Sequence, residues 1–270
     1  AFLVFPFLIG YFSWKNKQTV RQLILPFITI LLSVIYIYIL PGKKETDAII
    51  LACIHLPFML WAIAGYTFIG GDLKEAQKKI EYLRFNGDFV VMSALIVLSG
   101  IIFSGLTIGL FDIIHVDITK IYFQYIVIFG LAAVPVVGTY LVLNNPQLVN
   151  KISPVIARIF TPFVLVTLII FISSVIYTGN YPYDDRNALM IFNGLLIGVM
   201  ALILFSVSEV TKNTKSQTNL AILLGLSILT IVINGIALSA ILFRLQEFGI
   251  TPNRIAVLGA NLLILANLSL

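Results

Sequence analysis

Nine long apolar stretches divide the chain, at approximately residues 1–14, 22–41, 48–71, 89–111, 121–143, 159–178, 188–208, 219–243 and 255–270. Short polar connections between them hold nearly all the Lys, Arg, Asp and Glu. An α-helix rises about 1.5 Å per residue, so about 20 apolar residues match the roughly 30 Å hydrocarbon core of a bilayer. The first and last stretches look cut short, and the others reach spanning length. Alternating ten-residue segments, the mark of a membrane barrel, are absent, so the spans read as helices.

Composition agrees with that reading. Charged residues make up 11% of the chain and hydrophobic residues 60%, against about 25% charged in a soluble domain. Mean hydropathy is +1.05. A soluble core of this size has no room for so much apolar surface, and a bilayer does. The expected fold class is therefore all-α: a polytopic transmembrane helical bundle of about eight or nine spans, forming one transmembrane domain over residues 1–270. Ala1 and Leu270 both fall within apolar runs, so the reading expects truncated ends and a segment of a longer protein. No basic region and small-residue cleavage site mark a signal peptide.

The net charge of +5 invites a nucleic-acid reading. The basic residues are scattered over every connection, however, with no module that interleaves them with aromatics. The expected partner is the lipid bilayer and not nucleic acid. Cys53, the single cysteine, sits in an apolar run and reads as a small hydrophobe. No metal site and no cofactor are expected.

Lysine and arginine set the orientation. The odd-numbered connections carry Lys15, Lys17 and Arg21; Lys74, Lys78, Lys79 and Arg84; Lys151 and Arg158; Lys212 and Lys215. The even ones carry Lys43 and Lys44; Lys120; Arg186; Arg244 and Arg254. The excess, eleven against six, places the odd connections in the cytoplasm. The longest of these, 72–88, reads as a cytoplasmic amphipathic helix. Asp72 and Glu75 suggest a capping box, Gly87 a stop, and Leu73, Ala76, Ile80 and Leu83 an apolar face for the membrane surface.

Small residues mark helix contacts. Gly105 and Gly109, like Gly194 and Gly198, are GxxxG pairs, and Gly235 with Ser239 is a relative. Such spacing favours packing within the chain. Pro26, Pro57, Pro135 and Pro162 fall in or near spans, and no internal repeat emerges.

Polar residues inside spans are the place to look for chemistry, because each is costly in lipid unless paired. No Asp, Glu, Lys or Arg lies near the centre of a full span. His55 is the nearest ionisable group. Asn193, Asn234, Asn261 and Asn267 are neutral amides within spans, with Gln124 near an outer end. Under the assigned orientation, His55, Gln124, Asn193 and Asn261 fall in outer halves, where they would line an outward-facing polar crevice. The outer connections also hold acids: Glu45 and Asp47, Asp112 and Asp117 beside His115, and the adjacent Asp184 and Asp185. That last pair loosely resembles the metal-binding carboxylates of lipid-linked glycosyltransferases, although a helix-capping turn accounts for it as well. No nucleophile elbow, Walker loop, HExxH or dinucleotide fingerprint appears, and no catalytic residue is assignable.

The last outer connection runs Arg244-Leu-Gln-Glu-Phe-Gly-Ile-Thr-Pro-Asn-Arg254. Gly249 ends one helix, Thr251 caps the next and Pro252 suits its first turn. Over Phe248 to Asn267 the sequence resembles the bacterial domain-of-unknown-function 4153 family, in which a Gly-(Ile/Leu)-Thr-Pro-x-Arg turn precedes an apolar helix. The resemblance implies a multi-pass protein of the bacterial cytoplasmic membrane and supplies no activity or catalytic residue. The functional expectation is a transporter-like or permease-like component for a neutral or amphipathic solute. The ligand would be a small molecule or a lipid, with the candidate binding residues His55, Gln124, Asn193, Asn234, Asn261, Asp184 and Asp185. Two rivals stand beside it: an enzyme acting on a lipid-linked substrate at the outer face, and a structural or sensory partner docking through 72–88. The sequence leaves oligomeric state open.

Overall fold

The protein is described from a computed structural model, which covers residues 2, 4–40, 47–144, 152–179, 186–210 and 217–269. The described residues form nine helices: α1 Phe5–Lys15, α2 Val20–Ile39, α3 Asp47–Phe68, α4 Ala76–Ile113, α5 Thr119–Asn144, α6 Ile152–Thr178, α7 Arg186–Val210, α8 Gln217–Phe248 and α9 Pro252–Ser269. Within α5 the segment Tyr122–Val127 is π-helical. Seven of the nine, α2 to α8, are long and apolar enough to cross a membrane. With 11 residues α1 is too short, and α9 has 18 residues broken by Asn253, Arg254, Asn261 and Asn267. The chain is a multi-span α-helical membrane protein.

Its contacts divide it into two units, Ala1–Ala94 with Phe129–Pro146, and Leu95–Ile128 with Gln147–Leu270. In the first unit, α1 and α3 meet the start of α4 through aromatic rings. Phe12 lies edge-on to Phe68 at 5.3 Å, Phe68 stacks on Phe85 at 5.0 Å, and Trp61 meets Phe89 at 4.9 Å. Such pairs contribute about 0.5–1.5 kcal/mol each beyond their burial. Tyr82 crosses α3 where Gly65 has no side chain: a Cβ there would sit 2.5 Å from the tyrosine ring. The Tyr82 hydroxyl donates to the Trp61 carbonyl at 2.9 Å.

The end of α3 is closed by Gly70 and Gly71, both at φ 77, a left-handed conformation that glycine adopts without penalty. The exposed carbonyls are then capped from the α1–α2 turn. Asn16 Nδ2 donates to Thr67 O and Phe68 O at 2.8 Å each, and Gln22 Nε2 donates to Gly70 O at 2.9 Å. Charge-neutral amides thus satisfy the helix terminus that lacks its own donors.

The 72–88 connection differs from its sequence reading. No separate surface helix stops at Gly87. Instead α4 runs unbroken from Ala76 through Gly87 to Ile113, 38 residues, or about 57 Å. A mid-helix glycine costs only about 0.5–1 kcal/mol, and buried Phe85 and Phe89 anchor the rod on both sides of it. The capping box is also absent: Asp72 Oδ1 accepts from the Lys74 amide at 2.9 Å, and Glu75 pairs with Lys78 at 2.7 Å. Ala76, Ile80 and Leu83 are exposed at helical spacing on α4, and Leu73 is exposed in the turn before it.

The second unit is a bundle of α6 to α9 with the far end of α4. Its core carries Leu110 of α4 and Ile114 just after it, Leu168 and Phe171 of α6, Phe192 and Leu196 of α7, Leu226, Ile233 and Ala237 of α8, and Ile264 of α9. The Phe111, Phe171 and Phe192 rings follow edge-to-face at 6.1 Å each. Helices approach closely at the glycine pairs: Gly109 receives Ile191, and Gly194 and Gly198 receive Leu106. Gly105 and Gly235 meet no neighbouring atom within 4 Å. Three of the four GxxxG glycines therefore pack within the chain.

Candidate functional site

The second unit holds three asparagines, two of them fully buried, where two apolar layers adjoin. On one side, Leu189 of α7 packs with Ala240 and Ile241 of α8 and with Val257 and Leu258 of α9. On the other lie Phe192, Leu196, Ile233, Ala237 and Ile264. Asn193 stands one turn along from Leu189, Asn261 one turn along from Val257, and Asn234 one turn back from Leu238. Each amide is bracketed along its own helix by apolar residues of these layers.

Asn234 and Asn261 are fully buried, 0% exposed each, and Asn193 is half-buried. One hydrogen bond joins two of the helices: Asn234 Nδ2 donates to the Asn261 main-chain carbonyl at 3.0 Å. The remaining capacity is unspent. Asn193 Oδ1, Asn234 Oδ1 and both Asn261 side-chain atoms are buried with no hydrogen-bond partner among the described residues. Thr230, one turn from Asn234, has spent its hydroxyl on the Leu226 carbonyl at 2.6 Å. Asn234 and Asn261, joined by that bond, therefore offer two uncharged acceptors and one donor in an apolar surround, and Asn193 of α7 adds a further buried acceptor.

The other candidate residues are placed apart from these three. His55, in the first unit, lies on an exposed face of α3, and its Nδ1 donates to the Leu51 carbonyl one turn back at 2.9 Å. Gln124, in the π-helical part of α5, is exposed. Asn267 is exposed and donates to the Leu263 carbonyl at 3.0 Å. Asp184 and Asp185 lie outside the described residues.

Asp112, in the last turn of α4, and His115, in the turn after it, are exposed, with His115 at φ 58. Asp117 starts α5: its Oδ1 accepts from the Thr119 amide at 2.9 Å. The hydrogen bonds from the Thr119 side chain and backbone hold the Asp117 carboxyl below its usual range. Among the described residues, no group of three His, Cys, Asp or Glu side chains could hold a metal ion.

Sequence reasoning missed two polar features. One is the amide clamp of Asn16 and Gln22 on the α3 terminus. Its signal was three amides, Asn16, Gln18 and Gln22, crowded into one short connection. The other is a cleft of about 130 Å³ in the second unit, lined by Arg158, Thr161, Ser206 and Asn219. There the Thr161 and Ser206 hydroxyls lie 3.4 Å apart. Neither hydroxyl stands out in sequence, because single Ser and Thr residues are common in spans. Comparison with protein-family models, curated proteins and solved structures gives no match.

Proposed function

We propose that the chain is a carrier component for a small neutral or amphipathic solute, with the Asn193, Asn234 and Asn261 layer as its polar contact. What supports the reading is the unspent hydrogen bonding of that layer, four side-chain atoms in all. An unsatisfied buried polar group costs about 1–3 kcal/mol, so four together cost about 4–12 kcal/mol. That is comparable to the whole stability of a domain. A solute that hydrogen-bonds these amides offsets the cost when the layer opens to receive it. Because the layer contains only neutral amides, it suits an uncharged solute: an ion would be desolvated there with no counter-charge.

In this reading the protein is multi-pass in the bacterial cytoplasmic membrane, with its odd-numbered connections in the cytoplasm. Proteoliposome swelling tests it, with urea, glycerol and a pentose as probes. Vesicles containing the protein are expected to swell faster than empty ones for at least one probe. Asn261→Leu is expected to return that rate to the protein-free value. Equal rates with and without the wild-type protein for all three probes would overturn the reading.

A further inference from the structure

In the first unit, α1 and α2 leave their shared turn and each packs against α3 more closely than against the other. An open wedge of about 850 Å³ lies between them. Pro6, Ile9 and Gly10 of α1 and Leu23, Phe27 and Ile30 of α2 form apolar walls, while Lys15, Lys17 and Gln18 line only the end at the turn. From Pro6 to Lys15 the helix rises about 14 Å, close to half of the roughly 30 Å hydrocarbon thickness. The wedge is therefore about one leaflet deep, greasy along its length and cationic at its mouth.

Four further observations define the occupant. Nothing lies within 4 Å of the position a Cβ on Gly10 would take, so that wall is bare backbone beside open space. Trp14, 78% exposed, lines the wedge near the lysines, the depth at which indole rings favour the headgroup boundary. Among the described residues no acidic side chain lines the wedge, so Lys15 and Lys17 meet no counter-charge on its walls. Ser13 Oγ, on the same wall, is buried without a hydrogen-bond partner, leaving a hydroxyl donor at the headgroup end. An amphiphile with a long apolar chain and an anionic head complements all of this.

We propose that the wedge is a binding site for an anionic glycerophospholipid, with an acyl chain between α1 and α2 and its phosphodiester at Lys15 and Lys17. This site belongs to the first unit and is independent of the solute reading, which rests on the second. The turn that carries the lysines is fixed by the Asn16 and Gln22 bonds to the α3 terminus, so the cationic mouth is set before lipid arrives. Such preorganisation reduces the entropy lost on binding.

Tryptophan quenching tests the proposal. The chain has two tryptophans, so Trp61→Phe leaves Trp14 as the sole reporter. The protein is reconstituted in phosphatidylcholine vesicles in which either brominated phosphatidylglycerol or brominated phosphatidylcholine is titrated. Each lysine at an anionic headgroup is worth roughly fivefold in affinity. Trp14 is therefore expected to favour the anionic quencher by between about fivefold and about thirtyfold.

Lys15→Gln with Lys17→Asn is expected to bring that ratio close to one. Asparagine tolerates the backbone of Lys17, which stands at φ 47 in the left-handed region. Gly10→Phe, which fills the wedge without meeting a neighbour at Cβ, is expected to weaken quenching by both lipids. Identical curves for the two lipids, or an unchanged ratio in the lysine variant, would overturn the proposal. So would unchanged quenching in Gly10→Phe. Trp14 unquenched by either lipid would show a second polypeptide covering the wedge, and would overturn it too.

Discussion

Replacing Asn261 with leucine is expected to raise the stability of the detergent-solubilised protein by about 1–3 kcal/mol, the roughly 2–6 kcal/mol cost of its two unsatisfied atoms less about 1–3 kcal/mol for packing a bulkier side chain, while removing solute flux. The reason is specific to this side chain. The hydrogen bond at Asn261 uses its main-chain carbonyl, which accepts from Asn234, and both of its side-chain atoms lack a partner. Leucine shares the branching of asparagine at Cγ but is bulkier, so the substitution removes an unsatisfied amide and leaves the bond between helices intact, at some cost in overpacking. Asn234→Leu provides the contrast. It relieves an unpartnered Oδ1 but also deletes the donor to α9, so its net effect is expected to stay within about 1 kcal/mol of zero. Denaturant titration followed by far-ultraviolet circular dichroism reads both. Destabilisation by Asn261→Leu would mean that its amide is satisfied in the resting protein. A gain in stability with loss of activity is the common signature of a site kept polar for function.

Phe171→Ala is expected to cost about 3–5 kcal/mol, the range for truncating a buried aromatic. Phe171 is fully buried and sits between the Phe111 and Phe192 rings. Its removal opens a cavity where α4, α6 and α7 meet. In a bilayer the cost comes from lost packing, because lipid tails are as apolar as the core. Phe163, on the same helix but 58% exposed, is the control, and Phe163→Ala is expected to change stability by less than about 0.5 kcal/mol. Equal costs for the two would mean that the edge-to-face chain does not hold the second unit together. The same titration measures the difference.

The fold was legible because bilayer thickness imposes a length on each span, and runs of that length are visible without tertiary information. Each of the nine apolar stretches overlaps one helix, and α2 to α8 have spanning length and composition. Helix ends were less legible. Gly87 reads as a stop, yet Phe85 and Phe89 are buried on the same face of α4, and that tertiary packing outweighs a weak local preference. The turn at Gly249 and Thr251 was read correctly, because its signals are local: Gly249 takes φ 76 and α9 begins at Pro252.

The candidate site was legible in part. Sequence alone picks out neutral amides in spans, but it cannot say which face of a helix each occupies. His55 and Asn261 look alike as polar residues in apolar runs, yet one is exposed and bonded to its own helix while the other is fully buried and unpartnered. The amide clamp at Asn16 and the wedge at Lys15 and Lys17 depend on how α1 and α2 splay against α3. No local pattern encodes that splay.

The account turns on whether the buried amides of α7, α8 and α9 ever meet a polar molecule inside the membrane. Cysteine placed at Asn261 in a Cys53→Ser background answers this, with a small water-soluble thiosulfonate applied to the protein in native membranes. Slow but complete modification is expected, accelerating when the layer is held open by a permeating solute. Full protection over hours, with a cysteine at exposed Gln124 reacting within minutes, would show a sealed structural layer and contradict the carrier reading.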